Sequence, residues 1–174
     1  MSLITGVELG EAFVEPGVNL AHINTIVGPP NSAAEYAWTT ALATPTAGHE
    51  PFVAILRPGV PVKPMTLFVS KAAPASPEHG NLIWGPAQAG VAAGVADAVA
   101  DGTIERNQCD ELRIIVAVWV NPDADDAEAV YRNNRTATHD AIVNGHTGRP
   151  TVDEVLAARD RVSNPFYTPA GVAE

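Results

Sequence analysis

Alternating apolar and polar positions place the first strands. Residues 3–14 alternate imperfectly. Residues 19–28 alternate better: Leu20, His22, Asn24 and Ile26 fall on one face, and Ala21, Ile23, Thr25 and Val27 on the other. Short β-branched or aromatic runs at 52–56 and 66–69, bounded by Pro51, Pro58 and Pro64, read as further strands. Residues 111–120 hold Ile114, Ile115, Val116, Val118, Trp119 and Val120, a near-continuous apolar run that predicts a strand buried on both faces.

Helix starts carry their own signals. Ser32 with Glu35 fits a capping box ahead of Tyr36, Ala37 and Leu42. Gly85-Pro86 predicts the start of a second helix, with Pro86 at the first helical position, Val91, Val95 and Val99 on one face and Gly102 as the stop. Its alanines (Ala87, Ala89, Ala92, Ala93, Ala96 and Ala98 among them) reflect either helix propensity or a helix sandwiched between close neighbours, subunits included. Residues 126–144 read as a longer polar helix ending at Gly145, and Thr151 with Glu154 as a capping box leading to Val162. Residues 72–80, with Pro74, Pro77 and Gly80, read as a surface loop. Strands and helices do not alternate strictly. The expected fold is therefore α+β: a two-layer mixed sheet packed against helices, one domain over 1–166 with a flexible C-terminal tail over 167–174.

Charge narrows the function classes. Ten basic against twenty acidic residues give a net charge of -10 over 174 residues, which repels nucleic acid and anionic membrane surfaces. No apolar stretch is long enough to span a bilayer, and the Met1-Ser2-Leu3-Ile4 start lacks a targeting pattern, so a cytoplasmic protein is expected. Cys109 is the single cysteine, flanked by Asp110 and Glu111 rather than by positive charge, and reads as incidental. No phosphate loop, dinucleotide fingerprint, zinc motif or nucleophile elbow is present, and the five histidines lack metal-ligand spacing, so no metal is expected.

Three polar residues stand out. His22 and Asn24 share a strand face with Leu20 and Ile26, so His22 is either a satisfied core histidine or a general acid/base. Lys71 ends a strand, where a lysine is either solvated or functional. Gln88 lies early in the predicted second helix, where its amide either satisfies backbone groups or holds a polar heterocycle.

Taken together with their surroundings, these residues identify a resemblance. The blocks Gly10-Glu11-Ala12, Ala21-His22-Ile23, Val62-Lys63-Pro64 and Trp84-Gly85-Pro86-Ala87-Gln88 resemble the formaldehyde-activating enzyme family. So do the run from Val95 to Gly102, Asp110-Glu111-Leu112, Gly148-Arg149-Pro150 and the closing Asn164-Pro165-Phe166. The resemblance implies a lyase that condenses formaldehyde with tetrahydromethanopterin, releasing water, in one-carbon metabolism, methylotrophy and formaldehyde detoxification. It implies homopentamers with the pterin between subunits, no permanently bound cofactor, and the reduced pterin as co-substrate. The family's catalytic histidine falls on His22, and its pterin contacts on Asn24, Val53, Lys71, Ala73 and Gln88.

Departures are specific. Asn24 stands where the family has aspartate, Ala73 where it has threonine, and Val53 where it has leucine. Residues 133–138 replace aromatic rings by polar groups, which the resemblance assigns to the rim of the pterin pocket. These changes keep open two alternatives: an enzyme coupling an aldehyde to another carrier, and a non-catalytic pterin- or aldehyde-binding module.

Overall fold

The computed structural model describes residues 2–14 and 17–170. In chain order the elements are β1 (Glu8–Val14), β2 (Ala21–Gly28), α1 (Ala33–Ala43), β3 (Pro51–Val53), β4 (Ile55–Arg57), β5 (Val60–Pro61) and β6 (Met65–Ser70). Then follow α2 (Pro77–Leu82), α3 (Gln88–Ala100), β7 (Arg113–Val120), α4 (Ala127–Thr147) and α5 (Val152–Ala158). Five strands form a mixed sheet in the order β1-β2-β7-β6-β3, antiparallel except for β6 beside β7; β4 and β5 form a separate pair.

Period two sorts the sheet into faces. Ile23, Val27, Phe68, Ile114, Val116 and Val118 point to the face covered by α3 and α4, and form one buried cluster with residues of those helices. Burying each such side chain contributes about 1.5–3 kcal/mol. The α-helical layer is drawn tight by glycine: a Cβ at Gly90 would lie 2.5 Å from the Tyr131 carbonyl oxygen, and one at Gly94 2.5 Å from that of Arg135. The small residues of α3 thus serve close packing between the sheet and α4. Arg135 ties the two helices with hydrogen bonds of 2.6 and 2.8 Å to Asp97.

Several boundaries differ from the sequence expectation, each for a physical reason. The first strand begins only at Glu8, because Ile4 is held outside the ladder by reciprocal bonds with the Gln108 side chain, 3.0 and 2.9 Å. The 52–56 strand breaks at the fully buried Ala54, whose N–H bonds Thr66 while its carbonyl turns to Val62. The Ser32–Glu35 capping box does not form: the Ser32 hydroxyl donates to Pro29, and Glu35 accepts from the Asn31 N–H.

The second helix starts well before Pro86. Ser76 caps it by accepting the His79 N–H, and α2 runs through a π-turn over Ile83–Ala87 directly into α3. Pro86 therefore lies inside a helix, where the wide turn accommodates its missing donor. Residues 77–80 of the expected loop are helical, and His79 is buried: its Nδ1 accepts from the Ala75 N–H and its Nε2 donates to the Val120 carbonyl, both 3.0 Å.

Gly145 does not end α4. It lets the helix lie on β1, since a Cβ there would sit 3.1 Å from the Leu9 carbonyl carbon; the left-handed Gly148, φ 66°, is the stop. The Thr151–Glu154 capping box forms, but α5 ends at Ala158, short of Val162. Of the expected tail, residues 171–174 lie outside the described residues.

The second face of the sheet is only partly covered. Helix α1 lays Trp38 over Leu67 and Ile115, with Ile26, Val53 and Val69 around them, a partial third layer at one end. The remainder of that face is open, and it carries His22 and Asn24, with Lys71 at its edge. No helix among the described residues is long and apolar enough to cross a membrane.

The contact between α4 and β1 gives a sharp test. A Cβ at Gly10 would meet the Ala141 carbonyl oxygen at 1.8 Å, whereas Gly6 has nothing within 4 Å. Gly10→Ala is expected to lose about 1–3 kcal/mol in urea unfolding through forced backbone displacement. Gly6→Ala is expected to stay within about 0.5 kcal/mol of the parent.

Candidate active site

Register assembles the open patch. Phe13 on β1, His22 on β2 and Trp119 on β7 stand opposite one another, and the next row is Glu11, Asn24 and Ala117. On β6, Val69 pairs with Ala117. Two residues on, the Lys71 N–H donates to the Val118 carbonyl at 2.8 Å and prolongs the parallel ladder. Its Nζ then reaches the backbone carbonyl of His22 at 3.3 Å.

His22 is not a core histidine. Its neighbours Ala21 and Ile23 face the core, while its own side chain remains 36% exposed on the open face. Nε2 lies 3.2 Å from the Glu11 carboxylate, and the Phe13 ring packs beside the imidazole with centroids 5.5 Å apart. Burial lowers the His22 pKa below its ordinary value, the Lys71 charge lowers it further, and Glu11 pulls it back up by charge and hydrogen bonding. Burial also brings the half-buried Lys71 ammonium down to about 8, against the opposing pull of Glu11.

A cleft of about 870 Å³ opens over this patch. Glu11, Phe13 and His22 form its floor, and Ser163, Asn164, Phe166 and Thr168 its far wall. The Asn164 side chain accepts the Phe166 N–H at 2.9 Å, and the Phe166 ring stands edge-on to Trp119, centroids 5.6 Å apart. An imidazole, a carboxylate and an ammonium thus stand beside three aromatic rings. The arrangement can move protons next to a flat, polar ligand.

The structure brings together His22, Asn24 and Lys71. Val53 packs under Trp38 on β3, three strands from β2 or ~14 Å at ordinary strand spacing, and Ala73 is exposed just beyond Lys71. Gln88 is not at a helix N-terminus: it follows the π-turn, is buried, and its Oε1 accepts the Ile55 N–H at 2.5 Å. Residues 133–138 do not rim this cleft. They lie on α4 in the helical layer, with Asn134 and Thr138 buried and the Asn133 amide donating to the Asn19 carbonyl. The Cys109 thiol is pushed up by burial and by Asp110, in keeping with an unreactive cysteine.

Sequence reasoning missed Glu11, Phe13, Trp119 and Phe166 as site residues. Glu11 and Phe13 share one strand face, but only the pairing register shows that this face adjoins His22.

Comparison with known proteins adds a family. The family model described as "Formaldehyde-activating enzyme (Fae)" matches residues 9–167. A 5,6,7,8-tetrahydromethanopterin hydro-lyase of Methanosarcina barkeri is 42% identical over 158 residues, 91% of this chain and 89% of that protein. Bifunctional enzymes Fae/Hps of Methanothrix thermoacetophila and Archaeoglobus fulgidus are each 40% identical over 90% and 91% of this chain. The chain spans only 40% of the length of these two bifunctional relatives.

The half-buried lysine can be titrated directly. Lys63 is the other lysine, so Lys63→Arg leaves one side-chain ammonium signal for NMR. Its midpoint is expected at about 8; a midpoint near the ordinary ~10.4 would contradict the desolvation. In the unfolded chain Lys71 keeps its proton to higher pH, so this group's contribution to stability rises as pH climbs from about 8 towards ~10.4.

Proposed function

The chain belongs to the formaldehyde-activating enzyme family, and from that membership we propose that it condenses formaldehyde with tetrahydromethanopterin, giving the methylene-pterin and water. The observation that carries the assignment to this site is His22, engaged by Glu11 and flanked by Lys71, at the floor of an aromatic-walled cleft.

The chemistry needs an acid and a template. One pterin amine adds to the aldehyde carbon, and its proton moves to the oxygen to give a carbinolamine. His22 protonates that hydroxyl, the C–O bond breaks, and water leaves behind an iminium. The second amine attacks the carbon, and its proton returns to His22. The water thus carries away the first amine's proton and that of His22, and the second amine's proton restores His22. General acid catalysis of this kind contributes ~10²–10⁴-fold, and alignment of the two nitrogens removes an entropic barrier. The Lys71 ammonium holds a polar edge of the pterin, while Phe13, Trp119 and Phe166 flank its rings.

In the same reading the site is completed between subunits of a homopentamer. Gln88 belongs to the helical layer at the β3 end and His22 to the open face. One pterin touches both only when they come from two copies. Val152, Val155, Leu156, Val162, Phe166 and Tyr167, 52–74% exposed, supply apolar surface for that contact. A cytoplasmic protein that clears formaldehyde or feeds it into one-carbon metabolism follows from this activity. The neutral Asn24 and Ala73 favour one second reading, transfer to a different reduced pterin.

In stopped-flow mixing of low formaldehyde with tetrahydromethanopterin, the protein is expected to accelerate condensation. His22→Ala is expected to lose about 10²–10⁴ of that acceleration with an unchanged circular dichroism spectrum. Acceleration with tetrahydrofolate alone would select the second reading. Light scattering is expected to give an assembly of five chains.

A further inference from the structure

We propose that Glu11 is the positioning residue of the acid: its carboxylate fixes the His22 ring through Nε2 and leaves Nδ1 as the nitrogen that exchanges a proton with substrate. The inference rests on the reaction proposed above and deepens it.

The geometry begins with register. Phe13 stands opposite His22, and Glu11 opposite Asn24, so Glu11 approaches the imidazole along the diagonal of the antiparallel pair. Diagonal neighbours lie ~7–8 Å apart, a gap that a long side chain bridges. The carboxylate arrives 3.2 Å from Nε2, while the Phe13 ring packs beside the imidazole. The ring is held by one polar and one apolar contact from the same strand.

This contact selects a tautomer. A carboxylate oxygen 3.2 Å from Nε2 repels a lone pair there, so Nε2 keeps its proton whether the ring is charged or neutral. The proton that comes and goes is the one on Nδ1. In the reaction, Nδ1–H is transferred to the carbinolamine oxygen as the C–O bond breaks and water departs. Nδ1 then takes back the proton released by the second amine as it bonds to the methylene carbon.

The charges around the ring make Glu11 necessary. Lys71, just past the end of β6, carries a charge that disfavours the imidazolium, and β1 contributes Glu11. β7 presents Trp119 and the C-terminal segment Asn164 and Phe166, none of which ionises in this range. Asn24, on the same face, brings no charge. Among these neighbours Glu11 is the carboxylate that opposes both Lys71 and burial.

The test is Glu11→Gln in the full-length protein, with the His22 ring observed by NMR and no substrate present. Glu11 is 54% exposed, so folding is expected to survive, and urea unfolding checks it. The His22 midpoint is expected to fall and its nitrogen shifts to show mixed tautomers. In the condensation assay the alkaline limb of kcat moves to lower pH with KM little changed. Each unit of displacement costs about ten-fold in rate above the limb. Adding Asn24→Asp, which returns a carboxylate to the same face, is expected to move both the midpoint and the limb back. An unchanged midpoint and tautomer in Glu11→Gln, or a uniform loss of rate at every pH, overturns the proposal. The ring titration needs no turnover. Absence of condensation by the unmodified protein would therefore overturn the proposed reaction while the titration still decides the role of Glu11.

Discussion

The single parallel pairing in the sheet, β6 beside β7, is the constraint from which the rest of the molecule follows. Parallel neighbours cannot be joined by a hairpin, and the chain needs a long crossover to return to the starting edge. That crossover is the continuous α2–π-turn–α3 segment, which closes the helical layer over the core. The same pairing brings the end of β6 level with the start of β2, since β2 runs antiparallel to β7. Lys71 extends the parallel ladder by one hydrogen bond and so arrives at the backbone of His22. Scaffold and site are two outcomes of one strand order.

Unequal cover does the remaining work. The face under α3 and α4 is dry and filled, and in such a setting His22, Glu11 and Lys71 would each carry a heavy desolvation cost. On the other face α1 stops short, leaving an end of the sheet that is neither core nor bulk water. Partial burial shifts the ionisations of His22 and Lys71 without silencing either group. The three ionisable side chains are thus mutually dependent: the lysine disfavours the imidazolium, and the carboxylate favours both cations.

Much of the scaffold is legible in the sequence, and the gaps have identifiable origins. Period two at residues 21–27 assigns His22 and Asn24 to the same face, and the apolar run at 113–120 locates the central strand, because burial leaves a strong local trace. Pro86 and Gly145 misled for opposite reasons. Local propensity makes each a boundary, whereas a π-turn tolerates the first and close backbone approach requires the second. Glu11 as a partner of His22 was invisible, because cross-strand register is a property of two segments at once. Residues 133–138 enter the sequence reading only through family resemblance, and Gln88 through its place in the predicted helix; within one chain both belong to the helical layer rather than to the face of His22.

The scarcity of lysine has a chemical consequence. Formaldehyde crosslinks proteins through their amines, and a protein that accepts it as substrate is exposed to it as a poison. Eight of the ten basic residues here are arginine, whose guanidinium keeps its proton and is a poor nucleophile at neutral pH. Lys63 is engaged by Asp110, and the half-buried Lys71 donates to the His22 carbonyl. Both amines are thus held in contacts, which leaves few side chains of this chain open to attack by an aldehyde.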